Sequence, residues 1–484
     1  MSELVISYLF PPSKDVAGMA LAKRYIAKNI KFDILQANYD DCDYEFLEYM
    51  NEYINDQIIL DMKCNPNHTK CMEKFVNDGM SKIKDRKYDK ITSVAWKVAN
   101  HFLALEYKLE HPDTFWTAEF TDPISFDIYN KKREGGKRST VTDADYIGKI
   151  NREIEKVNLK NNTEFPLLDE SANIYLLVEY IAFLFADQIR FTNIHQMDVM
   201  LKQFPCDMKS FVEKKSVIED FPPLTSRFYE IKETSDLDND YINIGYFGNY
   251  YSKRHFESLF KAFDLLNHQH KSKLRFHFYL VEPDLFKTLI ETLEISENII
   301  IKDTVNYLDF LNLTTKFDVL IVNDLMTQDT FDVNPYLPSK YSDYKGSNID
   351  IWIMSEKNSM LDSKDEKYNS SIYDWESNCN VLIDILKDNG FGDDEFSILN
   401  ENDYEIKRTT DLNKIIDEKN KEINQSAIKI NKNKKELKKL KRELKKLKKE
   451  NSDLKNQNSE NLSSSTANES TSYLKLIKQK LKKD

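Results

Sequence analysis

The chain has 484 residues, 40% of them hydrophobic and 12% aromatic, too long for one core and apolar enough for two. A formal net charge of -12 argues against nucleic acid as a partner of the whole protein, and no apolar run approaches the roughly 18 residues of a membrane span. Five scattered cysteines (Cys42, Cys64, Cys71, Cys206, Cys379) suit a reducing interior better than a disulfide framework. The opening MSELVISYLFPPSKD lacks the basic flank and long apolar run of a signal peptide, so a cytoplasmic protein is expected.

In chain order, ELVISYLF is a short apolar run stopped by Pro11-Pro12, the pattern of a buried parallel strand entering a loop. A helical pattern from Val16 to Asn29 and a second strand candidate, FDILQAN, complete a βαβ opening. YDKITSVAW reads as strand then loop, KVANHFLALEYKLEH as helix, and TFWTAEFTDP as a strand ending at Asp122-Pro123. Residues 124–165 are polar and irregular and read as a loop over a site. ANIYLLVEYIAFLFADQIRFTNIHQMDVML supplies a buried helix, a strand and another helix. FPPLTSRFYEIKETSDLDNDY (221–241), with paired prolines and an acidic run, predicts a linker.

A second alternation follows. INIGYFG, LRFHFYLV, NIIIKD, FDVLIVND and IDIWIM read as strands, separated by the helical patterns HFESLFKAFDLLNHQH, PDLFKTLIETLE and VNYLDFLNLTTK. Strands alternating with helices of ten to fifteen residues predict doubly wound parallel sheets. The expected fold class is therefore α/β, with a first Rossmann-like domain at 1–222 and a second at 223–405.

From about Asp411 the pattern changes. Ile423, Ile430, Leu437 and Leu444 fall seven apart, interleaved with Leu440, Leu447 and Leu454, and Asn451 takes one place in the first series. Such heptads predict a coiled coil over 406–458 that would pair copies of the chain. Twelve Lys/Arg against three Glu between Lys429 and Glu450 make it a positive rod. A Ser/Asn-rich break and YLKLIKQKLKKD occupy 459–484. That end reads either as a contact with the anionic inner face of a cell membrane or as a solubilising helix end.

Ligands of open parallel sheets sit beyond the carboxyl ends of the strands. Two such ends in the second half carry a cation beside a glycine, in a chain with only 10 glycines where roughly 30 are usual. In GYFGNYYSKRHFESL, Gly245 and Gly248 flank the strand end and Arg254 lies at the helix entry. In NPYLPSKYSDYKGSNIDIWIM, Ser339 is a suitable N-cap and Lys340 falls in the first turn. A cation there opposes the helix dipole by roughly 0.3–1 kcal/mol, a penalty that reverses once a phosphate binds. Asp343 follows one turn later, where it could accept ribose hydroxyls. GYFG is not the GxGxxG fingerprint, and no P-loop motif occurs. Cys64, His68 and Cys71 have no second Cys/His pair at zinc-finger spacing, and the acidic runs DDCD and DLDND read as solvated loops, so no metal is expected.

Two Rossmann-like halves joined by a proline-rich linker, with IGYFGNYYSKRHFESLFKAFDLL and LPSKYSDYKGSNIDIWIM in the second, resemble GT-B glycosyltransferases of the family 4 (group 1) type. Many of these carry a glycine loop, a basic residue six positions on, and a P-S-K-x-x-[ED]-Y helix start. Gly248, Arg254 and Pro338-Ser339-Lys340 with Asp343-Tyr344 match in order. The resemblance implies that Arg254 and Lys340 grip the donor diphosphate, that Asp343 takes the ribose, and that the base lies near Val305 to Tyr307. In the first half it implies Gly18 near the donor sugar, with His101 and Asp122 in the cleft as catalytic candidates. The family's paired glutamates are incomplete, since Pro335 stands where the first would fall, and Asn249 replaces a frequent arginine.

The activity implied is transfer of a sugar, retaining and metal-independent, from a nucleotide sugar such as a UDP- or GDP-sugar to a hydroxyl of a cell-surface polysaccharide or lipid-linked acceptor. No separate cofactor is implied. Two alternatives stay open: a sugar-nucleotide epimerase or phosphorylase on the same fold, and a catalytically degenerate coiled-coil scaffold at the membrane.

Overall fold

A computed structural model describes residues 2–38, 42–290 and 296–391, together with 436–438, 440–441 and 443–447 of the tail. Residues 1–404 form one compact unit and 405–484 a second.

The first unit is built on two parallel sheets. The strands of the first are β1 (Glu3–Ile6), β2 (Phe32–Ala37), β3 (Ile54–Leu60), β4 (Lys90–Ala95) and β5 (Phe115–Phe120). After a two-residue antiparallel ribbon of β6 (Thr140–Val141) and β7 (Ala172–Asn173), the sheet is completed by β8 (Gln188–Phe191) and β9 (Ser216–Ile218). Its order is β3-β2-β1-β4-β5-β8-β9, every pair parallel. The second sheet comprises β10 (Ile242–Gly248), β11 (Leu274–Leu280), β12 (Ile299–Asp303), β13 (Val319–Asn323), β14 (Asp350–Ser355) and β15 (Tyr368–Ser371). It runs β12-β11-β10-β13-β14-β15, again all parallel. Both are doubly wound, and their strand order reverses between β1 and β4 and between β10 and β13, the switch points where crevices open.

The strands are almost uniformly buried, as sheets covered by helices on both faces must be. One core lies under the first sheet and two more flank the second. Another apolar cluster crosses between the halves: Val5, Phe10 and Phe32 meet Phe228 and Tyr229 of the prolyl segment and Leu308 and Leu311 of the second half. Each such side chain contributes roughly 1.5–3 kcal/mol when buried, so the two halves are joined by packing as well as by the chain.

Two expectations change. Residues 124–165 are not one long loop, because Ala144–Asn161 is an 18-residue helix anchored by Ile147, Ile150 and Ile154 and capped by Asp143. The segment before it, irregular up to the short turn Gly136–Ser139 and β6, reaches the second half: Tyr129 Oη lies 3.1 Å from Ser252 Oγ, and Asn130 Nδ2 donates to the Thr330 carbonyl at 2.8 Å. Cys64 and Cys71 form a disulfide, with Cα atoms 5.7 Å apart, because the first turn of helix Thr69–Ile83 brings Cys71 back over the preceding loop. Both sulfurs are thereby unavailable to a metal.

Of the expected coiled coil, the described residues between 436 and 447 are helical, and the rest of 406–458 and all of 459–484 lie outside the described residues. Among the described residues no helix is long and apolar enough to cross a membrane.

Candidate active site

The second sheet's switch point gathers the unpaired charges. β10 ends at Gly248, whose φ of +148° strains any side chain, and a Cβ there would fall 2.5 Å from the Lys340 Nζ that reaches over it. Lys340 opens the helix Lys340–Ser347 and reaches back over the strand end, its ammonium 3.8 Å from the centroid of the Tyr246 ring. That nitrogen is buried and has no hydrogen-bond partner. Burial, and then the charge of Arg254, push its pKa well below the usual lysine range. Arg254 sits in a tight turn whose backbone bonds twice to Tyr251, and its Nε is also buried and unpartnered. Two cations stand together here, with no ion-pair partner within 4.0 Å for Lys340 among the described residues, an arrangement that favours an anion.

Asp122 approaches from the other half. It lies two residues beyond β5. Burial raises its carboxyl to about 7, against the pull of Arg254 and Arg133. The Tyr336 hydroxyl, buried and unpartnered, feels the same carboxylate. Tyr336 packs with Leu325 and Phe331 against Ile128 and Val199 of the first half, which closes that side of the cleft.

Asp324, just past β13, is the acid that sequence reasoning missed. It is fully buried and raised to about 7, by burial first, and Arg254 again pulls in the other direction. Its Oδ2 accepts from the Glu356 amide at 2.9 Å and the Ser359 hydroxyl at 2.5 Å, while Oδ1 has no partner. The signal was present in FDVLIVND, where a polar pair ends an apolar strand at a switch point.

Asp343 stands differently from the expectation. It does not face an open ribose site: it is 6% exposed and bonded to Lys23 Nζ of the first half at 2.8 Å and to the Tyr307 hydroxyl at 2.7 Å. Lys23 also donates to Ser342 Oγ at 2.6 Å, and Tyr229 Oη donates to the Asp343 carbonyl at 2.6 Å. A buried lysine needs a carboxylate, and Asp343 is the one supplied. Tyr307 is likewise engaged, its amide donating to Asp43 of the first half at 3.2 Å, whereas Val305 stays 40% exposed before that helix.

Of three further residues, one is placed elsewhere than expected and two have a local packing role. His101 is fully buried in the first core, its ring against Trp116 and Phe120 and its Nδ1 2.7 Å from Ser93 Oγ. Burial holds the imidazole down to about 3, so it is neutral, and it is enclosed because nearly every side of helix Ala99–Glu110 is covered. Ser339 precedes its helix but makes no side-chain cap bond, and its carbonyl instead accepts from the Ser342 hydroxyl. Gly18 lies in the first turn of Val16–Lys28, where a Cβ would meet the Leu9 carbonyl oxygen at 2.2 Å, so its place is fixed by loop packing. Among the described residues no group of three or more His, Cys, Asp or Glu side chains could hold a metal ion.

No protein-family model matches the chain, and no curated protein matches it in sequence. Solved structures do. A glycosyltransferase from Rickettsia africae ESF-5 is similar at TM-score 0.50 and 10% identity, over 85% of this chain and 93% of that one. Anabaena Alr3699/HepE in complex with UDP-glucose gives 0.49 at 10% identity, over 81% and 91%. A putative UDP-N-acetylglucosamine 2-epimerase from Listeria monocytogenes gives 0.45 at 10% identity, over 81% and 89%. The chain shares the two-sheet GT-B architecture of glycosyltransferases, and at this identity the likeness is one of fold.

Proposed function

We propose that the protein is a glycosyltransferase that uses a nucleotide-sugar donor, with the diphosphate held between Arg254 and Lys340. The observation that carries this reading is the buried, unpartnered Lys340 ammonium beside Arg254 at the carboxyl end of β10. A binding fold has no use for two adjacent cations without an anion, and the switch point of a Rossmann-like sheet is where a nucleotide's phosphates lie. The GT-B architecture, shared with a named glycosyltransferase, agrees with it.

In transfer, the acceptor oxygen bonds to the anomeric carbon as the bond from that carbon to the diphosphate oxygen breaks. The electron pair leaves on the diphosphate, and Arg254 and Lys340 stabilise the charge that develops there. They can do so without a metal. In this reading Asp122, a first-half carboxyl that feels the charge of Arg254, takes the acceptor's proton, and a value near 7 suits that task. Retention of anomeric configuration, and a polysaccharide or lipid-linked acceptor made at the inner face of the membrane, follow from the family resemblance. Association through the tail and a membrane contact belong to the same reading.

The test is a thermal-shift and calorimetry panel of UDP-, GDP- and ADP-sugars on wild type and Lys340→Ala, followed by product analysis with a labelled donor. Donor binding that falls about tenfold or more in Lys340→Ala supports the assignment, whereas equal binding overturns it. A second reading draws on Asp343: if its pairing with Lys23 persists with nucleotide present, the ribose goes unread and a degenerate scaffold is favoured. Nucleotide binding without turnover of any acceptor would select that reading.

A further inference from the structure

The carboxyl end of β13 carries two buried polar side chains that the described residues satisfy only in part. Among the described residues, both amide atoms of Asn323 and Oδ1 of Asp324 lack a hydrogen-bond partner, and both residues are fully buried. Each unpaired buried group costs about 1–3 kcal/mol, so three such atoms on adjacent residues need a physical reason.

Their placement supplies one. β13 pairs with β10 through Ile244–Val319 and Gly245–Leu320. That pairing ends at Gly245 and Leu320, so Gly248 and Asn323, at the carboxyl ends of the two strands, flank the crevice that opens at the switch point. Side chains alternate between faces, so Asn323 shares the face of Val319 and Ile321, which pack with Tyr246 of β10. The Lys340 ammonium lies over that same Tyr246 ring. Asp324 is fixed through Oδ2 by Glu356 and Ser359, and its carboxyl interacts with Arg254. The unsatisfied amide and carboxyl thus adjoin the unsatisfied cations.

The two sets ask for different chemistry. A diphosphate offers only acceptors, which Arg254 and Lys340 can use and a carboxylate cannot. An amide together with a carboxyl suits hydroxyl groups, each of which donates and accepts. We infer that Asn323 and Asp324 form the subsite that reads the ring hydroxyls of the donor's sugar, directly beside the diphosphate site. The inference rests on the proposed function and names the residues that set its donor specificity. A site built to bond a hydroxyl strongly rejects an analogue without it, because its own buried groups are then left unpaired.

The experiment compares free nucleotide with sugar nucleotide. Calorimetry would measure UDP, GDP, UDP-glucose, UDP-N-acetylglucosamine and GDP-mannose on the full-length wild type, Asn323→Leu and Asp324→Asn. The expected result is affinity for the free diphosphate within about twofold of wild type, with affinity for the preferred sugar nucleotide lowered at least about tenfold. Retained binding of the free diphosphate also shows that the variant is folded. An unchanged ratio of sugar-nucleotide to free-nucleotide affinity overturns this subsite and leaves the proposed function standing. Loss of free-nucleotide binding in both variants also overturns it, since the pair would then serve the diphosphate or the fold. A wild type that binds none of the five compounds overturns the proposed function and this inference together.

Discussion

Two buried groups of charges, one in each half, follow opposite rules. In the first half Glu119, fully buried, takes Arg24 Nε at 2.8 Å and Arg190 Nη1 at 2.7 Å, and Arg24 bonds on to the carbonyls of Glu219 and Asp220. Burial would raise that carboxyl, but the two guanidinium charges prevail and hold it at about 2. In the second half Lys340 and Arg254 adjoin each other, with no ion pair at Lys340 among the described residues. A closed network of donors and acceptors stabilises a fold, while an open one marks the place of a missing ligand. The contrast predicts that stability and binding respond in opposite ways to substitutions in the two groups.

The largest effect should come from Glu119→Gln. It leaves two buried guanidiniums short of a counter-charge, and such losses cost about 3–5 kcal/mol. Urea denaturation should show it as a lowered midpoint, with nucleotide affinity per folded molecule unchanged. A loss under about 1 kcal/mol would remove the distinction between the two regions. Lys340→Ala should do the reverse. Removing an unpaired buried ammonium leaves stability equal or up to about 1 kcal/mol higher, while affinity for UDP or GDP falls about 10- to 100-fold, the worth of a charge-assisted hydrogen bond. A destabilised Lys340→Ala with normal nucleotide affinity would make the lysine structural.

The same contrast explains what the sequence disclosed. Apolar runs alternating with helical patterns are local, so ELVISYLF, INIGYFG and IDIWIM located β1, β10 and β14 and with them the doubly wound α/β class. Lys340 and Arg254 were legible because a cation at a helix entry beside a scarce glycine is a local anomaly. Partners across the cleft leave no such trace. Lys23 sits in ALAKRYIA, where it reads as one more helical lysine, yet it is 1% exposed and holds Asp343 from 320 residues away. His101 misled for the complementary reason: a histidine on an apolar helix looks the same in sequence whether it faces a cleft or a core.

A smaller effect separates pairing from binding at Asp343. Lys23→Met and Asp343→Asn each strand one member of a buried pair, and the double variant strands neither. The double variant should be more stable than the sum of the singles by about 1–3 kcal/mol, read by chemical denaturation. Additive losses would show that the pair is not coupled and would return Asp343 to the ligand. Calorimetry of UDP on Lys23→Met sharpens the point, since a carboxylate released to a ribose would raise affinity.

The smallest predicted effect is in the pH dependence, where the two regions act in different pH windows. Glu119 has a folded pKa of about 2, below its unfolded value of roughly 4.3, so its stabilisation is full above about pH 4 and is lost as pH falls toward 2. Asp324 has a folded pKa of about 7, above an unfolded value near 3.9, because burial outweighs its hydrogen bonds. It binds its proton more tightly when folded, so its contribution is full below about pH 4 and declines as pH rises through 7. Melting temperature should therefore peak on the acid side of neutrality, near pH 5. Asp324→Asn, which cannot ionise, should lessen the fall between pH 5 and 8, to which Asp122 and Glu179 also contribute, and melt about 1–2 °C above wild type at pH 8. An acid limb unchanged in Asp324→Asn is also expected, because that limb belongs to Glu119. If the neutral limb keeps its full slope in Asp324→Asn, the buried carboxyl beside Arg254 is already ionised in the ligand-free protein, and the open network of the second half is less open than its geometry shows.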